Sequence, residues 1–468
     1  MISACFIFMK VANGTWVALS QIKVRLARPG QIKPMFRFFV VLIFAFFAAG
    51  DAHAIDAARP SGSVSEAPEV QTFYQMRHGA PAWSGDPVAQ ANAKLALAVL
   101  GKAAEEGLDP ERYRAAPAGP GGYDAALTGA VLAYMRDLGE GRPELRSVDS
   151  DIALPPRVVN LPELLDQALR SGTLAQILAG LTPAHAGYLA LKTKLAETAD
   201  PHQRDIIAAN MERWRWLPKQ LEADRIEVNA ATAELTMWLG GRQVLASRVI
   251  VGKPATRTPI LRAEGAGITV NPVWNVPHSI AVKEFLPKLK RNPAWLASQD
   301  MVLLNGPPGD PQGLHVNWRA IPAGTFPYQV QQASGTGNPL GQIKLELPNR
   351  FDVYLHDTPG KASFNRTGRA LSHGCIRVEQ ILPLASYAMS ADQSSVALIR
   401  DAIGQGETRF LPLSRKVPVY VLYWTAVPGP EGGVRFVRDL YGRDQRMIAA
   451  MRQQAVRVVG VEPGCRRA

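Results

Sequence analysis

Two residue types set the terms on which this sequence is read, a histidine and a cysteine. Residues 353–378 run VYLHDTPGKASFNRTGRALSHGCIRV: a short apolar strand delivers His356, a loop of Pro, Gly, Asn and Arg follows, and Ser372-His373-Gly374-Cys375 closes it. Cysteine attacks as the thiolate, a minor species near neutral pH, so the thiol needs a base within reach. A histidine at a strand end and a cysteine beyond the loop can meet as base and nucleophile. Residues 378–389 read as helical after their first turn, which puts Cys375 near a helix N-terminus whose dipole would favour the thiolate. Gly374 lets the backbone come close, so the N–H groups of Gly374 and Cys375 are candidates to receive an acyl-transfer oxyanion. A rival metal site built from His356, His373 and Cys375 lacks a fourth ligand at any familiar zinc spacing. No metal and no cofactor is expected.

These residues need a frame. From Arg225 the periodicity is that of strands: residues 235–239, the pair Gly240-Gly241 and residues 242–251 read as a hairpin with a two-residue turn, and 326–331, 343–347, 353–355 and 417–425 add further strands. Upstream, the pattern is helical. Residues 91–106 place apolar side chains on a wide face and stop at Gly107, and 125–138 and 161–169 repeat the type. That region carries no concentrated catalytic chemistry and reads as a scaffold. The fold class is α+β, with a helical N-terminal part and a β-rich catalytic part.

At 468 residues the chain is long for one domain, and 47% hydrophobic with 20% charged residues argues against disorder and against a multi-span membrane protein. Residues 1–54 read as a signal peptide: Met35-Phe36-Arg37 supplies a basic start, 38–49 an apolar core and Ala52-His53-Ala54 a cleavage site. The apolar run is shorter than the roughly 20 residues that span a bilayer, so removal is favoured over a stable anchor. Met35 competes with Met1 as the start. Removing 1–54 takes the formal charge from +12 to +7 and the cysteines from three to two, Cys375 and Cys465. Two cysteines do not make a disulfide-built domain, and a bridge between them would silence the nucleophile. No Lys/Arg run interleaved with aromatics suggests nucleic-acid binding, and the surplus charge is assigned mostly to solvated surface.

The chain also resembles the L,D-transpeptidases of bacterial cell walls. Their signature is matched by His356, fifteen intervening residues, and Ser372-His373-Gly374-Cys375-Ile376-Arg377. Tyr354, Asn210-Met211-Glu212-Arg213-Trp214-Arg215-Trp216-Leu217-Pro218, Val251-Gly252-Lys253, Asn271-Pro272-Val273-Trp274-Asn275-Val276-Pro277, Leu347-Pro348-Asn349 and Tyr423-Trp424-Thr425-Ala426 are similar to the larger Gram-negative branch. The resemblance implies Cys375 as nucleophile, His356 as its base, an oxyanion site from the backbone of His373, Gly374 and Cys375, and Arg377 as a substrate-side or structural cation. Tyr354 and Ser372 are supporting candidates. Trp274 is a weak one, as readily core as substrate platform. The implied catalytic fold is a mixed β-sandwich over residues 224–412 with a lid at about 282–340, a reading that the length of that connection supports over an ordinary charged loop. A linker at 55–70, a scaffold at 71–218 and C-terminal strands and a helix at 413–468, packed on both, complete the expected division. Residues 189–198 run almost directly into 206–218, leaving no room for the peptidoglycan-binding module that larger relatives insert there. The implied activity is cysteine-dependent crosslinking of peptidoglycan stem peptides, 3–3 or 1–3, in the periplasm, open to carbapenem acylation. An L,D-carboxypeptidase or an inactive wall-binding protein are the alternatives.

Overall fold

The structure, a computed structural model, describes residues 8–10, 16–18, 68–115, 122–390, 392–429 and 433–458, with the backbone alone for 454–458. The chain divides into two units, residues 1–61 and 62–468. In the first, Phe8–Lys10 pairs antiparallel with Trp16–Ala18. The apolar run 38–49, the cleavage site at 52–54, most of the expected linker, Cys5 and Cys465 all lie outside the described residues. No described helix is long and apolar enough to cross a membrane.

The second unit opens with the helices α1 (Pro68–Met76), α2 (Pro87–Gly101), α3 (Gly122–Gly139), α4 (Leu161–Ser171), α5 (Leu174–Leu181), α6 (Ala186–Glu197) and α7 (Pro201–Arg215). Their starts are written in the sequence. Asp86 accepts a hydrogen bond from the Ala89 N–H at the head of α2, Asp200 does so from His202 at α7, and each is followed by proline at the first helical position. Phe73, Leu100, Leu127, Met135, Leu165 and Leu178 meet in one core beneath α1–α5.

The β-rich part contains β1 (Ile152–Ala153), β2 (Arg225–Asn229), β3 (Glu234–Leu239), β4 (Arg242–Gly252), β5 (Ile260–Val270), β6 (Trp274–Asn275), β7 (Met301–Leu303) and β8 (Val330–Gln332). It continues with β9 (Ile343–Glu346), β10 (Leu355–His356), β11 (Ala370–Ser372), β12 (Ile376–Val378) and β13 (Arg409–Leu422), then β14 (Ala426–Pro428) and β15 (Val434–Phe436). The order β9-β10-β12-β4-β3-β2-β13-β5 returns on itself, because β9 pairs with both β10 and β5. The expected β-sandwich is therefore corrected: the strands close into a barrel-like sheet. The inward alternation of Leu235, Met237 and Leu239 would serve either architecture, since a sandwich and a barrel both bury one face of each strand.

Helices α8 (Ile381–Met389) and α9 (Val396–Gly404) pack on the barrel core through Leu384, Ala385, Ile399 and Ala402. Residues 274–332 have a small sheet, β6-β8-β7, and a core of their own built on Phe285, Leu289, Leu296, Trp318 and Phe326. Helix α10 (Arg443–Val458) follows β15.

Candidate functional site

β10 and β12 lie side by side and parallel, with Leu355 opposite Ile376 and His356 opposite Arg377. The Ile376 N–H donates to the Tyr354 carbonyl at 3.0 Å, which seats Cys375 at the mouth of that pair. Cys375, His356, Tyr354, Ser372, His373, Arg377 and Trp274 all line one cavity of about 430 Å³. The expected helix N-terminus does not lie at the cysteine. Cys375 precedes strand β12, and α8 begins only at Ile381. The helix expected within 378–389 does form, but the β-branched Ile376 and Val378 suit a buried strand, and that strand separates Cys375 from the helix start.

Without a dipole to offset it, burial pushes the Cys375 thiol above its ordinary range. The sulfur hydrogen-bonds with the Tyr354 phenol, whose own pKa is pushed far up by burial and by the neighbouring thiol. The thiol also donates to the Asp352 carbonyl at 3.7 Å. His356 is 4% exposed, and burial, aided by the Arg377 cation, pushes its imidazole down to about 3. Its Nδ1 is buried with no hydrogen-bond partner, and its ring lies edge-on to Tyr354 with centroids 5.5 Å apart. At rest the cavity is lined by a neutral thiol and a neutral imidazole.

The turn before the cysteine is fixed from inside. Ser372, 2% exposed, donates to the Cys375 carbonyl at 2.6 Å and accepts from the Gly374 N–H at 3.1 Å. Gly374 adopts φ +121°, a conformation other residues rarely hold. Its N–H is thus committed to Ser372, which leaves His373 and Cys375 to supply any oxyanion-facing amide. Arg377 is half-buried, with a buried Nε that has no partner and no carboxylate paired to it among the described residues. Burial lowers its pKa. Trp274 stands at the cavity edge, edge-to-face with Phe285 of the 274–332 core at 6.0 Å.

Three contributors escaped the sequence reading. Glu284, on a π-helical turn over Ala281–Phe285, meets His373 Nε2 at 2.6 Å and so joins the 274–332 segment to the cysteine turn. The Lys344 ammonium lies 4.3 Å from the centre of the Tyr354 ring, opposite His356 across β9 and β10. Thr258 donates to the Gly374 carbonyl at 2.8 Å. Lone Glu, Lys and Thr residues far away in sequence carry no spacing signal. Among the described residues no three His, Cys, Asp or Glu side chains are grouped as a metal site requires.

Two family matches agree with this architecture. Residues 68–195 match a scaffold domain, and residues 223–414 match the L,D-transpeptidase catalytic domain, the YkuD family. The β-rich part of this chain is an L,D-transpeptidase domain. A Haemophilus influenzae protein provisionally named an L,D-transpeptidase is 32% identical over 244 residues, 52% of this chain, and the chain spans about half, 49%, of that relative's length. Among solved structures, the L,D-transpeptidase from Mycobacterium smegmatis is 12% identical with a TM-score of 0.21, covering 42% of this chain and 58% of its own. The Enterococcus faecium L,D-transpeptidase is 15% identical with a TM-score of 0.18, covering 58% and 68%. The sequence matches carry the membership, and they set the L,D-transpeptidase domain between a scaffold and a C-terminal segment beyond residue 414.

Proposed function

We propose that the protein is a peptidoglycan L,D-transpeptidase that works through a thioester on Cys375. The observation that supports this reading most is the placing of a thiol, a buried neutral imidazole and an unpaired guanidinium around one cavity within a domain of that family. Cys375 Sγ attacks the carbonyl carbon of the third residue of a tetrapeptide stem as its proton passes to His356. The His373 and Cys375 amides and the Tyr354 phenol face the developing negative charge, and Arg377 takes a stem carboxylate. The C–N bond breaks, His356 returns the proton to the departing D-alanine, and the thioester remains. An acceptor amine then attacks, losing its proton to His356, and the thiol is regenerated. Both the crosslinked dimers and the site's place outside the inner membrane belong to this reading, with export led by residues 1–54.

The test is incubation of the purified protein with disaccharide-tetrapeptide, followed by mass spectrometry of products and protein. Dimer, together with an acyl adduct on Cys375 that Cys375→Ala abolishes, is the expected result. The acceptor position in the dimer distinguishes 3–3 from 1–3 linkage. Tripeptide without dimer would move the reading to an L,D-carboxypeptidase. Neither turnover nor a carbapenem adduct would leave a wall-binding protein.

A further inference from the structure

We propose that Thr258 is a positioning residue for the nucleophile, held in register by Tyr441 and Arg443 from beyond the matched catalytic segment. Thr258 is 1% exposed and every polar group it has is engaged. Its hydroxyl donates to the Gly374 carbonyl at 2.8 Å and accepts from the Gly252 N–H at 2.9 Å. Its own N–H donates to the Tyr441 hydroxyl at 3.4 Å, which in turn donates to the Gly252 carbonyl at 2.7 Å. Its carbonyl accepts from Arg443 at 3.2 Å. Arg443, 1% exposed, is anchored on Asp149 at 2.9 Å and on Asp151 at 2.8 and 2.9 Å.

The fit has no slack. A Cβ on Gly252 would come within 2.0 Å of the Thr256 carbonyl and 2.8 Å of the Thr258 nitrogen. The Thr256 hydroxyl and the Lys253 N–H both hold the Ser372 carbonyl, at 3.1 and 3.0 Å. Segment 252–258 therefore grips the cysteine turn at Ser372 and at Gly374, while Ser372 grips it from within. Of the contacts made by segment 252–258, the bond from the Thr258 hydroxyl is the nearest to the nucleophile, one peptide unit from Cys375. Because Gly374 has a conformation that its own side chain does nothing to enforce, the direction in which Cys375 Sγ leaves the backbone depends on the bond to its carbonyl.

The inference rests on Cys375 being the nucleophile of the proposed reaction, and the test separates the two. Wild type, Thr258→Ser, Thr258→Val and Tyr441→Phe are compared by the pH profile of Cys375 alkylation with iodoacetamide, by kcat and KM on disaccharide-tetrapeptide, and by Tm. Thr258→Val is expected to shift the alkylation profile and to lower kcat roughly ten- to a hundredfold with little change in KM, the scale of a displaced reacting group. Thr258→Ser should restore both, and Tyr441→Phe should move them in the same direction by less. An unchanged alkylation profile in both Thr258→Val and Tyr441→Phe, or failure of Thr258→Ser to restore it, overturns the proposal whatever happens to Tm. Absence of turnover in wild type would count against the proposed function alone, since alkylation still decides the role of Thr258.

Discussion

A thiol pushed up by burial and an imidazole pushed down to about 3 do not exchange a proton at rest, so the transfer has to accompany attack on the carbonyl. In the free protein His356 is accordingly expected to stay neutral from pH 8 to pH 5, which imidazole NMR titration reads directly. The sign for stability follows from the same values. The folded pKa lies below the ordinary 6.5, so on acidification the unfolded chain takes the proton first, and stability falls as pH drops from about 6.5 towards 3. The effect is on the order of 5 kcal/mol at its limit, and His356→Gln should flatten the slope of urea-unfolding free energy against pH. Arg377 offers the complementary case, a half-buried cation with an orphan Nε. Arg377→Met is expected to raise stability by about 1 kcal/mol while raising KM for donor peptides that bear a free carboxylate. Cys375 and His356 were legible in the sequence because their chemistry demands those types near one another. Their protonation was not, since it depends on what covers them.

Elements, rather than residues, explain where the reading of this loop went astray. The helix expected after the first turn of 378–389 forms at Ile381–Met389, but Ile376-Arg377-Val378 pair with β10 and β4 as a strand and hold its N-terminus away from Cys375. The hairpin at Gly240-Gly241 was legible because both glycines take positive φ, 55° and 76°, as a two-residue turn requires. Closure of the sheet was not, because the β9–β5 pairing joins residues more than seventy positions apart and leaves no local mark. The 274–332 segment touches the cysteine turn through Glu284 and His373, both partly exposed. Such a pair is worth about 0.5 kcal/mol, so Glu284→Ala should leave Tm nearly unchanged. Amide hydrogen exchange in residues 278–289 should rise, and proteolysis in the Gly/Pro-rich stretch 305–313 should quicken. Unchanged exchange would mean that the pair holds nothing in place.

On the scale of the whole second unit, the two family matches are parts of one compact body spanning residues 62–468. The residues between and beyond the matches make the joint. Glu212 is fully buried and binds Arg142 and Arg215, each at 3.2 Å, and accepts from the Arg142 N–H at 2.6 Å. These cations hold its carboxyl below the usual range despite burial. Trp214 stacks on Trp424 at 4.2 Å, Asn210 bonds Thr425 at 2.8 Å, and Arg213 pairs with Asp444 at 2.6 Å. The stretches 210–218 and 423–426, which drew attention as a resemblance, thus serve as mortise and tenon between scaffold and barrel. Glu212→Ala leaves two buried guanidinium groups uncompensated, and a loss of about 3–5 kcal/mol is expected in chemical denaturation, with a single transition retained. A fragment cut to 223–414 exposes the faces these residues cover and should be poorly soluble when expressed alone.

Strand β13 lies between β2 and β5, with β2 near the start of the β-rich part, and its register with β5 runs from Arg409 to Val421. The ring of strands therefore cannot shut while the chain is still being synthesised short of residue 421. A growing polypeptide passes through a long interval in which the cysteine exists but the closed ring of strands that carries it does not. Pairings this distant also fold slowly, which lengthens that interval.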